Sequence, residues 1–281
     1  MRTYLSCIPC FVRQTVEAIK MATKSKARQK EALRKVLLKL STASFDRPPT
    51  EIGYAVHKII KDITKNDDPY KKVKARDNQA AMKFYSYLKE LIASSDDRLL
   101  VAAKLAIAGN IIDWAASPEF DVKDTIDEVI TQPLTINHFA QFRNSLDEAE
   151  TILYIADNAG EIVFDKVLLE ELAHKKITFL VRSEPIINDA TMEDAKFASI
   201  NKLAKVETVK ITAKGLNTTS NRFKHFVDEA DMLISKGQAN YEALSDMEGP
   251  IFFLLKVKCP LIADHIQAPL GAIVLKAGGE K

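Results

Sequence analysis

From Ala149 onward, short apolar runs alternate with helical patterns, and this alternation constrains the fold more than any other feature of the chain. Residues 151–156, 177–182, 206–212 and 232–235 read as strands, with helices at 161–174, 191–204 and 220–230 between them. A short helical turn at 241–244 follows, and 251–257, 261–263 and 272–275 are expected to close the sheet. Parallel neighbours need a crossover, so strand–helix repetition predicts a doubly wound, mostly parallel sheet.

Before residue 145 helical periodicity dominates. One or two helices are expected over 10–40. Pro48-Pro49 breaks the chain, and helices resume over 52–63, 75–93 and 96–114. A mostly polar link at 117–128 and a last helical piece at 133–146 complete this part. The expected architecture is α/β: a helical N-terminal domain (1–147) packed on a C-terminal doubly wound, mostly parallel sheet domain (148–281).

The chain has 281 residues, 47% of them apolar, which suits one large or two ordinary domains. Its formal charge of +2 supplies no field for nucleic acid. No apolar run reaches the length of about 18 residues that a membrane span needs. The opening MRTYLSCIPC lacks the apolar core of a signal peptide. A cytoplasmic protein with neither a membrane nor a nucleic-acid partner is expected; oligomerisation is left open. The basic stretch from Lys20 to Lys39 reads as a solvated helix face.

In a parallel sheet the loops after successive strands share one edge. Those loops are Asp157-Asn158-Ala159-Gly160-Glu161, Arg182 to Thr191, and Ser235 to Glu242. They bring Asp157, Asp189, several amides, Lys236 and two glycine turns to one cleft. Oxygen donors of this kind suit hard divalent cations. The helix opening at Glu161 also offers amides to an anion, and Lys236 is a point charge suited to phosphate. Asn110 and Asp113 lie three apart on an apolar helix and either enter this cleft or pair in the interior. Arg76 and Asn78 read as a solvated helix face. Cys7, Cys10 and Cys259 form either a redox or metal-holding thiol cluster or a set of small buried residues.

At these residues the chain resembles a known family. YIADNAGEIVFDKVLLEEL, EPIINDAT and SKGQANYEAL are similar to the DUF89 family of metal-dependent damage-control phosphatases. PPTEIGYAVHKIIKDITKNDDPY and LAIAGNIIDW extend the likeness to nearly the whole chain. The CxxC at Cys7–Cys10, the GNFE-like Ala239-Asn240-Tyr241-Glu242 and the KC pair Lys258-Cys259 resemble the signatures of its subfamily I.

The resemblance implies a divalent metal on Asp157, Asn158 and Asp189, with Mn²⁺ or Ni²⁺ foremost and Co²⁺ or Mg²⁺ as alternatives. It also implies phosphate contacts from the Lys236–Gly237 loop. The expected activity is hydrolysis of small phosphate monoesters, damaged or side-product metabolites of nucleotide-like or sugar-phosphate type. Catalytic roles are expected for Asp157, Asn158 and Lys236, with Asp157 the candidate for activating water. Substrate contacts are expected from Gly160, Glu161, Gly237, Asn240, Asn110 and Asp113. Two rival readings are an S-adenosylmethionine-dependent methyltransferase gripping its cofactor at the Asp157 turn, and a non-enzymatic thiol–metal protein.

Overall fold

The computed structural model describes residues 2–111, 122–212 and 215–279. The chain opens with α1 (Cys7–Ala22), α2 (Lys26–Ser41) and α3 (Pro49–Thr64), followed by α4 (Lys71–Met82), α5 (Tyr85–Ala93), α6 (Arg98–Ile111) and α7 (Val122–Thr131). Then come β1 (Ile136–Asn137), α8 (Phe139–Glu148), β2 (Thr151–Ile155), α9 (Glu161–Glu171), β3 (Lys176–Arg182), α10 (Met192–Phe197) and β4 (Lys205–Val209). A small antiparallel pair, β5 (Ile211–Thr212) and β6 (Gly215–Leu216), precedes α11 (Asn221–Asp228) and β7 (Met232–Lys236). The chain ends with α12 (Gly237–Leu244), β8 (Ile251–Lys256), α13 (Pro260–Ile266) and β9 (Ile273–Ala277).

Among the described residues one seven-stranded sheet runs in the order β1-β9-β8-β7-β2-β3-β4. All its pairings are parallel except β8 with β9. From β2 the chain winds outward through β3 and β4, then crosses back to place β7 on the other side of β2. The order therefore reverses between β2 and β7, and a crevice opens at their carboxyl ends.

The early helices follow from local signals. Ser25 accepts the Arg28 N–H to start α2, whose Ala32, Val36 and Leu40 recur every fourth residue and are buried. Pro49 opens α3, and Lys65 stops it in a left-handed conformation at φ 55°. Its face of Ile52, Val56 and Ile60 packs on α1 and α2 in a core of its own. Each buried Val or Ile there stabilises by about 1.5–3 kcal/mol. The exposed lysines between Lys20 and Lys39 are the expected solvated face.

A larger core joins the rest of the helices to one face of the sheet. It runs from Ala81 and Leu105 through Phe142, Tyr154, Phe164 and Phe179 to Leu275, so it crosses the 147/148 boundary. The helices that have a separate core are α1 to α3, not the whole of 1–147. A third cluster covers the other sheet face under α11, α12 and α13. Helix α9 is buried on nearly every side, which for a helix means core position rather than surface. Gly109 lets α6 reach it: a Cβ there would lie 2.8 Å from Phe164 Cβ.

Three expected elements differ. Residues 122–131 are helix where a polar link was expected, because Ile126 and Val129 share a buried face. The edge strand β1 comes from the segment expected to be helical; its two residues pair with Val274 and Leu275. Residues 261–263 belong to helix α13, which starts at Pro260 and buries Leu261, Ile262 and Ile266. No described helix is long and apolar enough to cross a membrane.

Candidate active site

The loops leaving β2 and β3 are hydrogen-bonded to each other. The Ala190 N–H donates to Asp157 O at 2.8 Å and the Ala159 N–H to Asn188 O at 2.8 Å. This antiparallel bridge between Asn158 and Asp189 sets the three expected metal residues side by side at the switch point. Asp157 is buried, while Asn158 and Asp189 keep an exposed edge.

Two amides stitch two carboxylates together. Asn158 Nδ2 donates to Asp157 Oδ2 at 2.9 Å and to Glu161 Oε1 at 2.6 Å. Asn110 Nδ2 donates to the same two groups at 3.1 and 2.8 Å. Asn110 thus enters the site from α6, through the close α6–α9 contact at Gly109. Arg182 Nε holds Asp189 Oδ2 at 2.7 Å, and its Nη2 donates to Asn240 Oδ1 at 2.8 Å.

Lys236 lies beneath this layer and is fully buried. Its Nζ is 2.5 Å from Asp165 Oδ1 and 3.7 Å from Glu161 Oε2. Asp165 Oδ1 also accepts the Tyr154 hydroxyl at 2.7 Å, as suits a carboxylate. Burial alone would lower the Lys236 pKa, but Asp165 and Glu161 outweigh it and push it up. Lys236, expected to meet phosphate, here places its ammonium on Asp165.

Other expected contacts are also taken up by the protein. The Gly160 N–H, at the start of α9, donates to Asn78 Oδ1 at 2.7 Å, and the Ala159 N–H is on Asn188. Asn240 donates to Ala156 O and Lys236 O and accepts from Arg182, and so braces the strand ends. Gly237, at φ +75°, presses so close to Asp157 that no side chain fits between them. Asn78 is buried, not solvated: it also donates to Asp194 at 2.8 Å, so α4 meets the site with its polar face. Asp113 lies outside the described residues.

The sequence reading passed over Asp165 and gave Arg182 no role. Their signal was two acids four residues apart among the apolar residues that open the helix, and an arginine closing an apolar strand. Cys7 is buried, Cys10 and Cys259 are half-buried, and all three are free thiols. Burial pushes the Cys7 thiol up, with Cys259, Glu242 and Cys10 adding to it, and Cys259 packs against the α1–α3 core that holds Cys7.

Asp157, Glu161, Asp165 and Asp189 crowd one site; Arg182 and Lys236 pair with two of them, and Lys258 and Lys74 act on Asp157 and Asp189 as well. Burial, then Glu161 and Asp189, push the Asp157 pKa well above the carboxylate range. Burial raises Asp189 as well, although Arg182 opposes it. Glu161 Oε2 is buried without a hydrogen-bond partner. Among the described residues no three His, Cys, Asp or Glu side chains form a ready ligand set, so a cation here needs the Asn158 amide as a donor. An all-oxygen set of crowded carboxylates and an amide fits a hard divalent cation.

A cleft of about 90 Å³ opens beside Asp189 and Arg182. A larger cavity of about 810 Å³ lies at the opposite, amino-terminal edge of the sheet, near Thr151, Lys176 and Lys205, away from these groups.

Known proteins are similar to this chain along nearly their whole length. An uncharacterised protein of Methanocaldococcus jannaschii is 35% identical over 96% of this chain and 93% of its own. A damage-control phosphatase of Pyrococcus horikoshii is 33% identical over 98% and 97%. The crystal structure of a DUF89 family protein from Pyrococcus horikoshii superposes with a TM-score of 0.90 at 31% identity, covering 99% of both chains. The damage-control phosphatase ARMT1-like domain model matches residues 3–274, and the chain belongs to that family.

Proposed function

We propose that this protein is a metal-dependent phosphatase of small phosphate monoesters, acting on damaged or side-product metabolites, nucleotide-like and sugar phosphates among them. The observation that carries the reading is the cluster of carboxylate and amide oxygens of Asp157, Asn158, Glu161 and Asp189 at the carboxyl ends of β2 and β3. Asp157, Asn158 and Asp189 would hold the ion, Mn²⁺ or Ni²⁺ foremost, Co²⁺ or Mg²⁺ as alternatives. When bound, such an ion polarises a phosphoryl oxygen and acidifies water.

The chain's own residues orient and restrain. Asn110 and Asn158 fix the Asp157 carboxylate from two sides. Arg182 fixes Asp189. Lys236 carries its positive charge under Glu161 and holds the floor of the site rigid. Pre-set groups of this kind need no reorganisation at the moment of reaction.

The test is hydrolysis of p-nitrophenyl phosphate with and without Mn²⁺. Asp157→Ala and Asp189→Ala are expected to lose metal-stimulated turnover and calorimetric Mn²⁺ binding while keeping the circular dichroism of the parent. Full activity in either variant overturns the reading.

A further inference from the structure

The charge of this chain is unevenly divided. Residues 2–47 carry eleven Lys and Arg against three Asp and Glu, a formal +8 in a chain whose whole balance is +2, which leaves the remainder at −6. A split of this size marks a segment for an anionic partner. Helix α2 displays the excess. Lys26, Lys30, Arg34 and Leu38 lie four apart, in one inclined row of exposed side chains turned away from the buried Ala32, Val36 and Leu40. Lys35 and Lys39 form a second exposed pair beside it. Like charges four apart weaken a helix, so the row is unfavourable in water alone. Elsewhere on the surface Arg98 pairs with Glu171, Arg143 with Asp97 and Arg222 with Glu207. Among the described residues Lys30, Arg34, Lys35, Lys39 and Arg47 have no acid of this kind.

Apolar side chains gather at the carboxyl end of the same helix. Eight large ones are exposed among the described residues, and five of these are Tyr4, Leu5, Leu37, Leu38 and Phe45. Leu38 is 68% exposed and Leu5 79%. The backbone places them together. The buried Thr3 donates its N–H to Phe45 O at 3.1 Å and to Arg47 O at 2.9 Å, and its hydroxyl to Arg47 O at 2.6 Å. That fixes Tyr4 and Leu5 beside the loop that leaves α2. Arg34, Lys35 and Lys39 stand within about a turn of Leu38 on the helix, and Arg47 follows Phe45 by two residues.

The combination selects the partner. Interfaces between proteins are poor in lysine, and nucleic-acid bases stack on aromatic rings rather than on leucine. Exposed leucines edged by cations suit the headgroup boundary of a bilayer, where carbon enters and charge stays with phosphate.

We propose that this end of the α1–α3 unit docks on a bilayer bearing anionic lipid headgroups. Leu5, Leu38 and Phe45 enter the boundary, and the α2 cations meet headgroup phosphates. Neither signal suffices by itself, and together they give a reversible surface association that needs no spanning helix. This docking is independent of the phosphatase reading.

The test is co-sedimentation of the full chain with large vesicles, of phosphatidylcholine alone or mixed with phosphatidylglycerol in equal parts. Binding is expected to the mixed vesicles only, and to fall steeply as salt rises to about 1 M, where the screening length is about 3 Å. The triple variant Lys30→Gln, Arg34→Gln, Lys35→Gln should bind about 100-fold more weakly, at about fivefold per cation. Leu5→Ser with Leu38→Ser should lose about tenfold or more. Both variants change exposed side chains only and should keep the circular dichroism of the parent. Hydrogen exchange on the parent gives a second reading that needs no variant: amides of residues 2–6 and 42–47 are expected to gain protection on mixed vesicles. Equal binding to neutral vesicles, binding to neither, protection elsewhere, or full binding by either variant overturns the proposal. Two findings without vesicle binding overturn it in favour of another partner. Capture of single-stranded RNA that the triple variant loses gives the surface to nucleic acid. A dimer in light scattering that the leucine variant dissolves makes it a contact between copies.

Discussion

A Cβ on Gly237 would lie 1.8 Å from Asp157 Oδ2, well inside contact distance. The turn that ends β7 therefore sets where the carboxylate that ends β2 can stand. Gly237 also holds φ +75°, which costs about 1–2 kcal/mol for any other residue. Gly237→Ala must push Asp157 away. A displacement of about 1 Å in a catalytic group lowers turnover by about 100-fold. The expected outcome is a folded protein with at least that loss in Mn²⁺-stimulated kcat and a weaker calorimetric Mn²⁺ affinity. Turnover at the parent level would show that Asp157 need not occupy this position.

Lys236 and Asp165 are both fully buried and meet at 2.5 Å. Removing one partner leaves the other charge uncompensated, at a cost of about 3–5 kcal/mol. Lys236→Met should show a loss of this size in urea denaturation, and Lys236→Met with Asp165→Leu should recover much of it. Were the double variant no more stable than the single one, the pair would not be the term that fails.

Much of this site was legible because topology concentrates information. Once 151–156, 177–182 and 232–235 read as parallel strands, Asp157, Asp189 and Gly237 had to emerge at one edge. The side on which a buried charge points was not legible. Ser235 and Lys236 are adjacent and both fully buried, so only the packed sheet reveals that the lysine reaches Asp165 and not the cleft. Asn78 reads as surface because α4 is polar overall, yet its polar face answers Gly160 and Asp194. Strand β1 has two residues, too few to show a period of two.

Asp157 stands among carboxylates that push its pKa well above the usual range. Relieving that crowding favours the metal-free fold, and removing the carboxylate removes the ion's anchor. Asp157→Asn is therefore expected to melt higher than the parent in chelator at pH 8. Added Mn²⁺ should raise the melting temperature of the parent, since a ligand bound only to the native state stabilises it. The variant should show little or no such rise. A Mn²⁺ shift of parental size in Asp157→Asn would place the ion elsewhere.

Glu242 is half-buried, and its Oε2 is buried with no hydrogen-bond partner among the described residues. Burial pushes its pKa from 4.5 to about 7. The native state thus keeps a proton that the unfolded chain releases, so ionisation favours unfolding. The stability this group contributes is fully present below pH 4.5 and is lost as pH rises through about 7. At about 1.4 kcal/mol per pKa unit, the whole change amounts to about 3 kcal/mol. Glu242→Gln, which cannot ionise, should match the parent in urea denaturation at pH 4.5 and exceed it by about 2–3 kcal/mol at pH 8. The difference should grow between those limits and flatten above pH 7. A difference that is constant across this range would mean that Glu242 titrates at its ordinary value and that its burial is relieved in solution.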